Sequence, residues 1–213
     1  MSAIRTATLR SPLQGTVEQL SREVDQIPAA RKQLLHQLTA FVQNKIDANQ
    51  KAYLNFICTH NSRRSHLSQI WAQTAAYAFG IPNVVCFSGG TEATAFNPRA
   101  VKAMQDAGFS ITKFSDGDNP VYEVRFSSEA PGIRAFSKKY DDPFNESDNF
   151  AAVMTCSHAD ENCPVVLGAT ARIALTYNDP KDFDGTPQEA AKYAERVREI
   201  GRELLYAFSQ VKV

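Results

Sequence analysis

Short apolar runs alternate with segments of helical periodicity from residue 52 onward, and this alternation constrains the fold more than any other feature. Four runs have the length and composition of buried strands: AYLNFIC (52–58), NVVCFS (83–88), FAAVMT (150–155) and TARIALT (170–176). Helical patterns cover residues 65–79 and 98–107 and continue from Thr186 towards the end of the chain. Strands that alternate with helices predict an α/β fold with an open, mainly parallel sheet and helices on both faces.

Two of the helix starts carry capping signals. Asn97 and Pro98 suit the cap and the first position of the helix 98–107. The residues TPQE at 186–189 have the pattern of a capping box with proline at the first helical position. The last helix is therefore predicted to begin there.

Residues 13–49 precede the alternating region and are predicted to be helical, with Pro28 in the first turn of a helix that runs to about Asn49. A stripe at helical spacing runs along this helix: Leu34, Leu35, Leu38, Phe41, Val42, Lys45 and Ile46. We expect extra helices packed on the domain, and a homodimer formed through these helices is the alternative. The predicted division is a helical extension at 1–50 and an α/β domain at 51–213.

Composition narrows the compartment and the classes of partner. The chain has 213 residues with 23 acidic and 23 basic side chains, so no net charge points to nucleic acid or to membrane surfaces. No apolar stretch approaches the ~20 residues of a membrane span, and MSAIRTATLRSPLQG lacks the apolar centre of a signal peptide. We expect a cytoplasmic protein without nucleic-acid or membrane partners. In such a protein cysteines favour catalytic, redox or buried roles over a disulfide framework.

The loop CTHNSRRS (58–65) places a cysteine among positive charges, between the first predicted strand and a helix. Loop N–H groups and the helix N-terminus favour an anion, and Arg64 can clamp a tetrahedral oxyanion with two hydrogen bonds. Cys58 starts the loop, where this field favours the nucleophilic thiolate, and Ser65 can donate a hydrogen bond to it. An inert cysteine beside surface arginines is the alternative. The predicted oxyanion-binding residues are Thr59, His60, Asn61, Ser62, Arg63, Arg64 and Ser65.

This Cys-x5-Arg-Ser loop on a strand-to-helix turn resembles the active-site loop of the low-molecular-weight protein tyrosine phosphatase superfamily, which includes the thioredoxin-coupled arsenate reductases. Asn61 and Ser62 match the reductase version of the loop. The resemblance covers about two-thirds of the chain, resuming at these segments: 88–93, 97–101, 150–164 and 179–208. It implies the fold of that superfamily and an enzyme that acts on an arsenate or phosphate oxyanion.

The chain also departs from the superfamily pattern. His60 stands where glycine is usual, so its backbone is expected to be strained if that position requires a positive φ. Gln69 replaces an acidic residue that some reductases use near the loop, and we therefore predict no metal ion there. Residues 1–50 and 120–149 are additions relative to short members. The second addition contains the alternating run VYEVRFS (121–127) and is predicted to be a hairpin lid or a surface addition.

Two further cysteines enclose the sequence CSHADENC, at Cys156 and Cys163. Cys156 ends a predicted buried strand, as Cys58 does, so both are expected at the carboxyl edge of the sheet. A helix separates residues seven apart by about 10.5 Å, whereas a disulfide needs Cα atoms within about 7 Å, so a bond between them requires the segment to unwind. From spacing alone, structural cysteines are the alternative. The resemblance implies that the pair forms the final disulfide of a reductase.

An acid and two other side chains complete the candidate site. Asp179 precedes a proline, and the resemblance implies that it protonates the departing oxygen. The neighbouring Asp182 and Asp184 are expected to have no such role. His158 is expected to be an exposed loop histidine, with activation of a thiol as the alternative. Cys86 is expected to be a buried small hydrophobe.

The predicted function is arsenate reduction, with these catalytic residues: Cys58, Arg64, Asp179, Cys156 and Cys163. No bound cofactor is predicted. The resemblance implies thioredoxin as reductant, and glutathione with glutaredoxin is the alternative. A protein tyrosine phosphatase would need Cys58, Arg64 and Asp179 alone, but Phe183 by itself makes a poor aromatic wall for a phosphotyrosine ring. A non-enzymatic oxyanion-binding or redox-sensing protein is the further alternative.

Overall fold

The structure, a computed structural model, describes residues 4, 8–162 and 165–213, and this part of the chain forms seven strands and six α-helices. The strands are β1 (Ala52–Cys58), β2 (Val84–Gly90), β3 (Ser110–Lys113), β4 (Tyr122–Arg125), β5 (Ile133–Ala135), β6 (Phe150–Met154) and β7 (Ala169–Ala174). The helices are α1 (Ser11–Arg22), α2 (Ala29–Asp47), α3 (Arg64–Ala78), α4 (Pro98–Asp106), α5 (Ser157–Asn162) and α6 (Glu189–Ser209). Short 3-10 helices occupy Val24–Gln26 and Pro180–Phe183.

The four predicted apolar strands form one parallel sheet in the order β2-β1-β6-β7. Successive side chains of a strand point to opposite faces. Leu54 of β1 and Val153 of β6 therefore pack on one face, in the core shared with α3 and α6. Ile57 and Met154 pack on the other face, together with Ala159 of α5. The predicted fold class is confirmed: an open parallel sheet carries helices on both faces.

The capping signals predict the start of α4 correctly but not the start of α6. Asn97 caps α4 as predicted, because its side-chain oxygen accepts hydrogen bonds from two N–H groups of the first turn. The capping box predicted from Thr186 is wrong, since α6 begins at Glu189. Thr186 Oγ1 instead donates to Phe183 O at 2.7 Å, and Glu189 Oε2 accepts from Gly185 N–H at 2.6 Å. These bonds close a separate turn ahead of the helix.

The N-terminal helices share the core of the sheet region. Two helices separated by a 3-10 helix replace the continuous helical pattern, and Pro28 lies just before α2 as its N-cap. The helices bury their apolar side chains in this chain: Leu13, Val17 and Leu20 of α1, and Leu35, Leu38 and Val42 of α2. Arg31 of α2 also donates from Nε to both carboxylate oxygens of Glu203 at 2.9 Å. The buried residues of the predicted stripe therefore pack within this chain and need no second copy to cover them.

Gly201 lies where α6 touches both α1 and α3. A Cβ atom built on it would lie 2.7 Å from Trp71 Cε2 and 2.9 Å from Leu20 Cδ1. We expect Gly201→Ala to lower the free energy of unfolding by about 1–3 kcal/mol in urea titrations, because buried groups must move. Gly15→Ala is the matched control, since nothing lies within 4 Å of a Cβ there, and it should be neutral or stabilising. Equal stability of the two variants would contradict this packing.

A second, antiparallel sheet has the order β3-β4-β5 and includes the predicted strand in VYEVRFS as β4. The chain then returns along residues 136–149 to the parallel sheet, where Lys139 forms an isolated parallel bridge with Gly90. Ser137 and Lys138 are each only 2% exposed. This addition is therefore partly a hairpin and partly an interior segment. No helix in the described ranges is long and apolar enough to cross a membrane.

Candidate active site

The loop of residues 58–65 joins β1 to α3 at the carboxyl edge of the parallel sheet. Cys58 is the last residue of β1, and Arg64 is the first residue of α3. Asn61, in the middle of the loop, has a φ of 43°, which asparagine tolerates better than most residues. His60 is not among the residues with positive φ, so the condition for a strained backbone there is not met, and the left-handed residue is the next one. No strain at His60 follows.

The loop after β2 supports the active-site loop through close backbone contacts. A Cβ atom on Gly90 would lie 2.7 Å from both Asn61 N and Thr59 O, so only glycine allows this approach. Glu92 N–H donates to Thr59 O at 2.8 Å, and Thr91 Oγ1 donates to the same oxygen at 3.1 Å. The carbonyl of Thr59 thus accepts two hydrogen bonds from the loop after β2.

The backbone N–H groups of residues 59–63 have no hydrogen-bond acceptor within the described part of the chain. Ser62 is buried, and its carbonyl accepts from Asn97 N–H at 2.9 Å. Successive unpaired N–H groups around a left-handed residue, followed by the N-terminus of a long helix, form a concavity that binds anions. The loop therefore has the donors that oxyanion binding requires.

One hydrogen bond reaches the thiol of Cys58, and a second hydrogen bond sets the direction of the first. Its sulfur lies 3.1 Å from Ser65 Oγ, and Asn61 Nδ2 donates to that same Oγ at 2.8 Å. Because Ser65 accepts a hydrogen from Asn61, its own hydrogen is available to the sulfur. Cys58 is 4% exposed, so Ser65 supplies a hydrogen bond to the sulfur where little water reaches it.

The predicted clamp and the predicted acid touch each other. Arg64 Nη2 donates to Asp179 Oδ2 at 2.6 Å, and Nη1 donates to Tyr177 O at 2.9 Å. Arg64 Nε is buried and has no acceptor among the described residues. Asp182 is exposed, so Asp179 is the carboxylate of this loop that reaches the clamp. An oxyanion that binds Arg64 at Nη2 therefore takes the place of the Asp179 carboxylate.

Arg63 lies 4.0 Å from the same carboxylate, between its Nε and Asp179 Oδ1, but its hydrogen bonds go to other side chains. Its Nε donates to Tyr193 Oη at 2.8 Å, and its Nη2 donates to Asp184 Oδ2 at 3.3 Å. Tyr193 donates in turn to Asp184 Oδ1 at 2.8 Å, and burial raises the pKa of Tyr193 to about 12. Arg63 thus ties the start of α3 to α6 and to the loop after Asp179. Sequence reasoning missed Tyr193, because its helical spacing marked it only as a core residue.

Cys156 lies at the same edge of the sheet, as predicted, because β6 is the parallel neighbour of β1. Its buried sulfur lies 3.5 Å from Thr59 Oγ1 and accepts from Ala159 N–H at 3.3 Å. The exposed His158 places Nδ1 3.3 Å from Thr59 Oγ1. Thr59 therefore links the first cysteine's loop to the second cysteine. Cys163 lies outside the described residues.

Cys86 and Gln69 lie behind the loop. Burial raises the pKa of the Cys86 thiol, which makes it inert, as predicted. Gln69 Nε2 donates to the carbonyl of Cys86 at 3.0 Å and so joins α3 to β2. Within the residues that the structure describes, no group of three or more histidine, cysteine, aspartate or glutamate side chains could hold a metal ion.

Comparisons with known proteins give two kinds of similarity, although no protein-family model matches the chain. An arsenate reductase from Bacillus licheniformis is 30% identical over 156 residues, which cover 72% of this chain and 93% of the relative. An arsenate reductase from Bacillus subtilis is 31% identical over 150 residues, covering 70% and 89%. A solved low-molecular-weight phosphotyrosine phosphatase from Vibrio cholerae O395 has a TM-score of 0.50 at 12% identity, covering 74% of this chain and 94% of that one. The structural similarity concerns the fold alone.

Proposed function

This chain belongs to the arsenate reductase family, and from that premise we propose that it reduces arsenate to arsenite through Cys58, Cys156 and Cys163 in turn. The observation that carries the proposal is the contact of 3.5 Å between the Cys156 sulfur and Thr59 Oγ1, beside Cys58. A phosphatase needs one cysteine in this place, whereas a reductase needs a second thiol within reach of the first. The position of Cys156, just after the strand next to β1, supports its assignment as that second thiol.

In the first step the loop N–H groups and Arg64 bind arsenate. The Cys58 thiolate attacks arsenic, the bond from arsenic to the hydroxyl group of the arsenate dianion breaks, and that hydroxyl departs as water with a proton from Asp179. The ion pair of 2.6 Å between Arg64 and Asp179 supports this assignment, because it holds the carboxyl group beside the clamp. Arsenate that displaces the carboxylate from Arg64 leaves Asp179 beside the bound oxyanion, as proton transfer to the departing oxygen requires.

In the second step the Cys156 thiolate attacks the sulfur of the Cys58–arsenic adduct. The sulfur–arsenic bond breaks, its electron pair stays on arsenic, and arsenite leaves while a Cys58–Cys156 disulfide forms. Two cysteine sulfurs are oxidised and arsenic is reduced by two electrons, so the step balances. Ala159 N–H donates to the attacking sulfur, and the Thr59 hydroxyl, 3.5 Å from it, can donate to its thiolate form.

In the third step Cys163 attacks Cys156, which frees Cys58 and leaves a Cys156–Cys163 disulfide. The helix α5 occupies Ser157–Asn162, so it must unwind for the two sulfurs to meet. We assign thioredoxin as the reductant of this disulfide. Val165 and Leu167, close to Cys163 in the chain, are 70% and 80% exposed, and exposed apolar side chains suit contact with a protein reductant.

Replacing Cys156 by serine tests the scheme. We expect Cys156→Ser to lose multiple-turnover arsenate reduction by at least about 10³-fold, because the arsenic adduct has no thiol to resolve it. Hydrolysis of p-nitrophenyl phosphate should be largely retained, since it needs only Cys58, Arg64 and Asp179. Arsenate-dependent NADPH consumption with thioredoxin and thioredoxin reductase measures turnover, and glutathione with glutaredoxin replaces them in a parallel assay.

The exposed neighbour Ser157 provides the matched control as Ser157→Ala, which should reduce arsenate at the natural rate. Undiminished arsenate reduction in Cys156→Ser would show that the three-cysteine scheme is wrong. Turnover of p-nitrophenyl phosphate without any turnover of arsenate in the natural chain would instead identify a phosphatase. Oxyanion binding without turnover of either compound would identify a binding or sensing protein.

A further inference from the structure

The segment of residues 136–140 runs beside the end of β2 and reaches the active-site loop. Gly90 N–H donates to Lys138 O at 2.9 Å, and Tyr140 N–H donates to Gly90 O at 2.9 Å. Gly89 leaves the room for this contact, since a Cβ atom there would lie 2.3 Å from Tyr140 Cα. The segment therefore continues the parallel sheet for a short distance beyond its edge strand β2.

Two hydrogen bonds join this segment to the active-site loop. Lys138 N–H donates to Asn61 Oδ1 at 3.0 Å, and Ser137 Oγ donates to His60 O at 2.9 Å. Both acceptors belong to residues whose backbone N–H groups are unpaired within the described part of the chain. The inserted segment thus holds the loop at the turn that forms the anion-binding concavity.

The bond from Lys138 fixes the orientation of the Asn61 amide. A backbone N–H can only donate, so Oδ1 faces Lys138 and Nδ2 faces Ser65 Oγ, at 2.8 Å. Ser65 receives that hydrogen and directs its own hydrogen to Cys58 Sγ, at 3.1 Å. A chain of hydrogen bonds therefore runs from the inserted segment to the nucleophile, in the direction that stabilises the thiolate.

Asn119 holds Ser137 on both sides of its backbone. Its Nδ2 donates to Ser137 O at 2.7 Å, and its Oδ1 accepts from Ser137 N–H at 3.0 Å. The hydroxyl of Ser137 also accepts from Thr94 N–H at 2.7 Å. A shift of Ser137 would carry the adjacent Lys138 N–H away from Asn61, so the position of Ser137 controls the whole chain of hydrogen bonds.

We infer that Asn119 and Ser137 are positioning residues for the Cys58 nucleophile. They act through His60 and Asn61, which accept the hydrogen bonds of Ser137 Oγ and Lys138 N–H. The inference rests on the proposed function in one respect, namely that Cys58 is the nucleophile. It assigns to the region of residues 120–149, together with Asn119 just before it, a role in keeping the active-site loop ready for attack.

The test compares Ser137→Ala and Asn119→Ala in the full chain with Asp118→Ala, an exposed neighbour of Asn119, as control. The first readout is the rate at which iodoacetamide alkylates Cys58 at pH 7, with peptide mass mapping to identify the labelled cysteine. We expect both variants to be alkylated about tenfold more slowly, because fewer molecules carry the thiolate. The second readout is arsenate reduction, in which kcat should fall by a similar factor with a smaller change in KM.

Thermal unfolding separates positioning from stability, and Asn119 is exposed, so its replacement leaves the core intact. Alkylation rates within twofold of the Asp118→Ala control in folded variants would overturn the inference. If the alkylation rate or kcat falls only in proportion to the fraction of unfolded protein, the inference is overturned as well. Alkylation needs no arsenate, so slower alkylation in a chain that does not reduce arsenate would support the inference while refuting the proposed function.

Discussion

Replacing Cys58 by serine should abolish arsenate reduction, with a loss of at least about 10⁴-fold in kcat/KM. A serine hydroxyl stays protonated at neutral pH, so neither the anion-binding loop nor the bond from Ser65 can make it a comparable nucleophile. Hydrolysis of p-nitrophenyl phosphate should be lost with it, because both reactions begin at the same atom. The NADPH-coupled assay and nitrophenol release measure the two activities.

Cys86→Ala is the matched control for this variant. Cys86 is buried on β2, and burial raises the pKa of its thiol, so its loss should leave both activities unchanged. Binding of arsenate to Cys58→Ser should persist, since the loop N–H groups and Arg64 remain. Arsenate reduction by Cys58→Ser at more than a few per cent of the natural rate would show that another group attacks arsenic.

Replacing Asp179 by asparagine should lower kcat for arsenate reduction by about 10²–10⁴-fold, the usual contribution of a general acid. The same change should leave KM unchanged or lower it. The reason is the ion pair of 2.6 Å between Asp179 and Arg64, in which the carboxylate competes with arsenate for the clamp. An asparagine removes that negative competitor together with the proton donor. Steady-state kinetics across a range of arsenate concentrations separate the two effects.

Asp182→Asn is the control for the acid, because Asp182 is exposed in the 3-10 helix that Asp179 caps, and the described partners of Arg64 are Tyr177 and Asp179. It should retain the natural kcat. An unchanged kcat in Asp179→Asn would remove Asp179 from the proposed mechanism. A rise in KM by an order of magnitude would show that the carboxylate supports the arsenate site and does not compete for it.

Local patterns in the sequence were sufficient for the elements that build the site. The run AYLNFIC has the composition of a strand buried on both faces, and it forms β1 up to Cys58. Asn97 caps α4 as predicted, because the N–H groups that its side chain accepts from lie two and three residues further along the chain. Cys58 and Cys156 share an edge of the sheet because each follows a strand of the same parallel sheet. These features depend on short stretches of chain or on the single rule that parallel strands end together.

The errors occurred where competing bonds of similar strength are available to the same residues. Thr186 matches a capping box, but its hydroxyl bonds to Phe183 O in the preceding turn, so α6 begins at Glu189. A single hydrogen bond is worth only about 1 kcal/mol net, so tertiary packing easily decides between the two arrangements. The condition set for strain at His60, a positive φ, is not met, because the left-handed residue of the active-site loop is Asn61.

By itself the sequence determined the parallel α/β fold, the loop that carries Cys58 and the edge that it shares with Cys156, because these follow from local periodicity and strand order. Only the tertiary structure decided that Arg64 pairs with Asp179 and that Ser137 and Lys138 hold the loop. His60 and Ser137 are separated by 77 positions in the chain. Their bond depends on the path of the inserted segment between them, and no local pattern of side chains encodes that path.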